Sequence, residues 1–188
     1  MAKCNDVINV ARELFSKYGF RKVSMEEIAK KANVTKKTIY HYFKDKRELF
    51  CYFINEELDN IKNQIVHNDN KNEAYVDTIT DNINLLLSLS KQNELLNTLI
   101  KERKENTIDD NNFFQVYEQK IINFIEERLK EEIAKKNIRN CDSKLTAFII
   151  YKMIFSLMFE YEGEINNEKI IQEIKNILMN GLLIKGGI

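Results

Sequence analysis

The chain has 188 residues, no proline, only five glycines, and equal numbers of basic and acidic residues, 29 of each. With so few chain breakers it reads as all-α, and no apolar run approaches the ~20 residues that a membrane-spanning helix needs. Three scattered cysteines (Cys4, Cys51, Cys141) without CxxC spacing, and two histidines outside any ligand pattern, argue against a disulfide framework or a zinc site. No metal or cofactor is expected, and the absence of a signal core near the start points to the cytoplasm.

Residues 5–18 form the first predicted helix, with Val7, Ile8, Ala11, Leu14, Phe15 and Tyr18 at helical spacing and Gly19 as its stop. Residues 24–46 then read as two short helices joined by a tight turn. Ser24 and Glu27 have the spacing of a capping box. Ile28, Ala29 and Ala32 make an inner face small enough for close packing. Asn33 takes the turn, where a left-handed backbone is wanted and Asn tolerates it. Thr35 is the expected N-cap of the second helix.

In that second helix Ile39 and Phe43, four apart, form the buried row. The opposite arc is centred on Lys37 and His41, flanked by Lys36, Thr38 and Tyr40, with Tyr42 nearer the buried row. It offers cations for phosphate and hydroxyl and imidazole groups for phosphate or base edges. A basic amphipathic surface helix would look the same in isolation. The whole 23-residue arrangement is what reads as a helix-turn-helix. Charge agrees: residues 1–48 hold 12 Lys/Arg against six Asp/Glu, and the remainder carries the compensating acidic excess. One basic end on an otherwise acidic chain implies a polyanion partner for that end.

A long helix from about Lys46 to Val66 follows without proline, glycine or linker, so it can transmit displacement mechanically. Asn/Asp-rich interruptions divide the rest into helices at about 73–90, 93–105, 112–136, 143–162 and 168–184. Residues 145–159 are apolar nearly all round and must be buried on every face, either inside the core or against a second subunit. The last helix carries the stripe Ile170, Ile171, Ile174, Ile177, Leu178 and Leu182.

The spacing of Ala11, Leu14, Phe15, Gly19, Ile28, Ala29, Ala32, Val34, Tyr40, Phe43, Lys46 and Leu49 resembles the tetracycline-repressor (TetR) family of bacterial transcription regulators over the first 50 or so residues. The resemblance implies an all-α protein of about nine helices. A three-helix DNA-binding domain (1–47) would precede a helical regulatory and dimerisation domain (48–188). It also implies a double-stranded operator as partner, a homodimer through 143–162 and 168–184, and an unidentified small-molecule effector. Lys36, Lys37, Thr38 and His41, with the Thr35 cap beside them, match recognition-helix positions that face bases or adjacent phosphates. Ser24, Tyr40, Tyr42 and Lys46 match phosphate contacts. Asn33 departs from the family's usual glycine. The aromatics Tyr75, Phe113, Phe114, Tyr117, Phe124, Tyr151, Phe155 and Phe159 either line an effector cavity or are plain core. The function expected is a repressor released by its ligand; the alternative is a DNA-bound protein whose C-terminal domain takes a protein partner.

Overall fold

The computed structural model describes residues 2–71, 75–104, 111–161 and 166–182. Among them are nine α-helices and no β-strand: α1 (Ala2–Lys22), α2 (Met25–Lys31), α3 (Lys36–Tyr42), α4 (Lys46–Lys71), α5 (Tyr75–Gln92), α6 (Glu94–Lys104), α7 (Asn111–Ala134), α8 (Ser143–Phe159) and α9 (Asn167–Leu182). Packing divides the chain into two compact units. One is Met1–His67 with Leu89–Asp109; the other is Asn68–Ser88 with Asp110–Ile188.

In the first unit Val7, Ala11 and Phe15 of α1 are buried, as are Ile28, Ile39 and the α4 residues Leu49, Phe50 and Phe53. Phe15 meets Phe50 and Phe53 edge-on, with ring centroids 5.0 and 6.0 Å apart. Such pairs add roughly 0.5–1.5 kcal/mol each beyond the area they bury. Gly19 breaks α1 at the predicted stop, with φ 83° and ψ 168°, and one more helical turn follows. This unit follows α4 as far as His67 and includes α6, which packs along α1.

α4 runs beyond the expected Val66 into the Asn/Asp-rich stretch read from sequence as a loop. The reason is tertiary. Asn68 donates to Asn82 at 3.0 Å, and Asp69 pairs with Arg128. These partners outweigh the poor helix propensity of Asn and Asp. α7 stops two residues early because Lys136 takes a left-handed φ of 62° and the amide of Asn137 bonds back to the carbonyl of Glu132 at 3.0 Å.

The second unit has two apolar clusters. Ile122, Leu129, Ile138, Ala147, Tyr151 and Leu182 form one, and Ile83, Leu87 and Ile174 the other. The complete burial expected of α8 does not occur within one chain. Ala147 and Tyr151 are buried, but Leu145, Phe148 and Ile149 are 57, 45 and 55% exposed, and Ile177 of α9 is 56% exposed. An aliphatic crevice of about 10 Å³, lined by Ile83, Leu86, Leu87, Ile154, Leu157 and Ile174, has room for about one water.

Candidate nucleic-acid interface

The helix-turn-helix is assembled by short-range chemistry. Ser24, in extended conformation, accepts from the Glu27 amide at 3.2 Å, and the Glu27 carboxylate accepts from the Ser24 amide at 2.8 Å. The Ser24 hydroxyl also donates to that carboxylate at 2.9 Å, so its one proton is already committed. These bonds hold the Glu27 carboxyl below its ordinary range. The turn closes through Ala32 N to Ile28 O at 2.9 Å and Val34 N to Ala29 O at 3.0 Å, with Asn33 left-handed at φ 52°. Asn thus supplies the backbone state for which glycine is usual.

Thr35 caps α3 through its hydroxyl, which accepts from the Thr38 amide at 3.2 Å and lies 2.9 Å from the Thr38 hydroxyl. Ile39 is fully buried and Phe43 nearly so. Their burial turns Lys36, Lys37, Tyr40, His41 and Tyr42 to the surface, with Thr38 half-buried on the flank. The His41 and Tyr42 rings meet edge-on at 5.2 Å. Lys36 is tied to Glu26 of α2 by an ion pair at 2.6 Å. A groove lined by Leu14 and Val23 carries Lys22, Lys30 and Lys31 beside Glu27, with Lys31 paired to Glu13 at 2.6 Å.

Lys46 has a different setting. Its ammonium donates to the carbonyls of Phe20 at 2.8 Å and Val23 at 2.9 Å, and lies 4.3 Å from the centre of the Phe20 ring. Burial pushes its pKa down, partly offset by the nearby charges of Glu102 and Glu27. Lys46 therefore closes the end of α1 against the start of α2.

Sequence reading missed two residues beside it. Thr98 of α6 donates its hydroxyl to the carbonyl of Ser16 at 2.7 Å, and the Glu102 carboxylate accepts from the Arg21 amide at 3.1 Å. Their i, i+4 spacing put both on one helix face, but no local signal named α1 as the target.

The expected effector aromatics are dispersed along the second unit. Tyr151 and Phe155 pack on each other at 5.7 Å in the α7–α8 cluster, while Phe114, Tyr117 and Phe124 are half-buried on α7. The side chains of Tyr75, Phe113 and Phe159 lie outside the described residues.

Residues 7–52 match the profile of the bacterial regulatory proteins of the tetR family. Over 159 residues the chain is 27% identical to the uncharacterized HTH-type transcriptional regulator YhgD of Bacillus subtilis (strain 168), a match covering 84% of this chain and 83% of that protein. Among solved structures, the transcriptional regulator FadR of Bacillus subtilis in complex with stearoyl-CoA superposes with a TM-score of 0.70 at 19% identity, covering 94% of this chain and 98% of FadR. AibR in complex with isovaleryl coenzyme A and operator DNA gives 0.61 at 19% identity, covering 93% and 97%.

Proposed function

We propose that this chain, whose residues 7–52 match the tetR-family profile, is a dimeric repressor of that family that binds a palindromic operator and is released by a small-molecule ligand. The observation that carries the reading is α3. Its buried row, Ile39 with Phe43, presents Lys36, Lys37, Tyr40 and His41 together on the outer face of a capped helix-turn-helix. That is the arrangement that lays side chains against base edges and phosphates in the major groove. Lys37 and His41 are the proposed base readers. Lys36, Thr38, Tyr40 and Tyr42 hold phosphates, and Ser24, Thr35 and Lys46 hold the reader's shape.

The exposed apolar residues Leu145, Phe148 and Ile149 of α8, with Ile177 of α9, support a second copy of this chain as their cover. Two copies would place two readers on half-sites about one helical turn, ~34–36 Å, apart or more. The effector is bound in the second unit and leaves unchanged. FadR of Bacillus subtilis holds stearoyl-CoA and AibR holds isovaleryl-CoA, so acyl-CoA thioesters are the first class to test. The protein works in the cytoplasm on this reading; among the described residues no helix is long and apolar enough to cross a membrane.

The test is enrichment of duplexes from a random pool by the wild-type protein, followed by titration of the winner with short-, medium- and long-chain acyl-CoA. An inverted repeat bound by a dimer and released by one chain-length class is the expected result. Failure to enrich any sequence would overturn the DNA reading, and release by none of the thioesters would overturn the effector class.

A further inference from the structure

α6 has a grip on the reading head that its place in the chain does not suggest. Its N-terminus is capped by Asn93, whose side-chain carbonyl accepts from the Leu96 amide at 3.0 Å. The Asn93 amide nitrogen donates to Glu57 of α4 at 2.8 Å, and Glu57 pairs with Arg12 of α1. One and two turns further on, Thr98 and Glu102 bond to the last regular turn of α1 and to the segment leading into α2. Glu102 is only 7% exposed, so its carboxylate sits in a closed space where a charged hydrogen bond is worth more than at the surface.

Gly19 records how tight that grip is. A Cβ built there would lie 2.6 Å from Glu102 Oε1 and 3.4 Å from Thr98 Cγ2, and the residue's φ of +83° already disfavours any side chain. The carbonyls on either side of Arg21 and Lys22, those of Phe20 and Val23, are held by Lys46. Residues 19–23 are thus gripped from α4 on one side and α6 on the other. This segment decides where Ser24 sits and hence where α2 and α3 point.

We propose that Glu102 is a positioning residue for DNA reading: from α6 it holds the Gly19–Arg21 segment, with Thr98 as its second point, and so sets the aim of the recognition helix without touching DNA. The inference rests on the DNA-reading function proposed above. Because both contacts come from one face of one helix, a displacement of α6 loosens them together.

The experiment compares the selected duplex with a scrambled duplex of equal length for wild type, Glu102→Ala, Glu102→Gln and Thr98→Val, with circular dichroism at the binding temperature to confirm folding. Folded Glu102→Ala is expected to lose tenfold or more on the selected duplex, to stay within about threefold on the scrambled one, and to keep the wild-type salt slope. Glu102→Gln retains an acceptor for the Arg21 amide and is expected to recover most of the discrimination. Thr98→Val is expected to lose about threefold. A residue that merely adds stability would lower binding to both duplexes alike. Wild-type discrimination in Glu102→Ala overturns the inference; so does a Gln variant no better than Ala. If Glu102→Ala does not fold, wild-type discrimination in Thr98→Val overturns it instead. A wild-type protein that enriches no sequence at all ends the DNA reading and this inference with it, whereas a discriminating wild type matched by its variants ends this inference alone.

Discussion

Lys36 at the start of α3 and Glu26 in the first turn of α2 hold each other at 2.6 Å, with both side chains largely exposed. An exposed pair of this kind contributes only about 0–1 kcal/mol to stability. If Lys36 holds a phosphate as proposed, the effect on binding is larger, because the phosphate must compete with Glu26 for it. Glu26→Gln is therefore expected to tighten binding to selected and scrambled duplexes alike and to steepen the salt slope by up to about one unit. Unchanged affinity and slope in a salt titration would show that Lys36 does not engage phosphate.

Lys37 and His41 form the centre of the outward arc of α3. Replacing either with Ala is expected to cost about 1–3 kcal/mol on the selected duplex and to relax the choice at one or two base pairs. Equal losses on selected and scrambled DNA, measured by competition at several salt concentrations, would remove both from the set of readers.

Lys46→Ala is expected to reduce thermal stability and, because Lys46 holds the same segment as Glu102, to cost more on the selected duplex than on the scrambled one. The carbonyls of Phe20 and Val23 lose a charged donor, each bond of this type being worth about 1.5–3 kcal/mol when buried and less at this partly exposed site. A variant that melts like wild type yet loses one unit of salt slope would make Lys46 a simple phosphate contact.

Ile149 is more than half exposed in the single chain, so Ile149→Glu should leave the subunit folded while abolishing the dimer. Sedimentation at micromolar concentration reads this directly. A dimer that persists in Ile149→Glu and in Leu145→Glu would place the subunit contact elsewhere.

Glu132 provides the pH test. Burial raises its pKa, but hydrogen bonds from Lys135 at 2.8 Å and Asn137 at 2.7 Å, with the charges of Lys135 and Arg128, outweigh burial and hold the carboxyl below its ordinary 4.5. A carboxylate with a lowered folded pKa adds stability that is present above its unfolded value and lost as pH falls through the folded one. Glu132→Gln should thus be less stable than wild type by about 1–3 kcal/mol at pH 7. The gap should close below pH 4.5, which denaturant titrations at pH 7, 5 and 3.5 would reveal.

What could be read from sequence here was what depends on neighbours three or four residues away. The Ser24–Glu27 box, the Asn33 turn and the Thr35 cap are all bonds of that range, and the structure places each as expected. The Ile39–Phe43 row follows from helical spacing for the same reason. By contrast, Arg21 and Glu102 meet across 81 residues, and nothing near either one announces the other. The helical state of Asn68 and Asp69 depends on Asn82 and Arg128, and the end of α7 on a left-handed Lys136, a residue that carries no turn signal. The apolar character of α8 was plain, but which part of it one chain covers depends on how α7 and α9 lie against it.

The attachment of α6 to α1 bears on how this protein could be re-engineered. Consider a chimaera that joins another protein's reader to this chain's remainder, with the cut placed just before α4. Such a cut would leave Thr98 and Glu102 facing a foreign Ser16, Gly19 and Arg21. A side chain other than hydrogen at position 19 would then collide with the retained carboxylate. The transferable module is discontinuous: α1 to the early turns of α4, together with Asn93 and α6. A graft that carries both pieces keeps its aim; one that carries only the first must find new partners for the Ser16 carbonyl and the Arg21 amide.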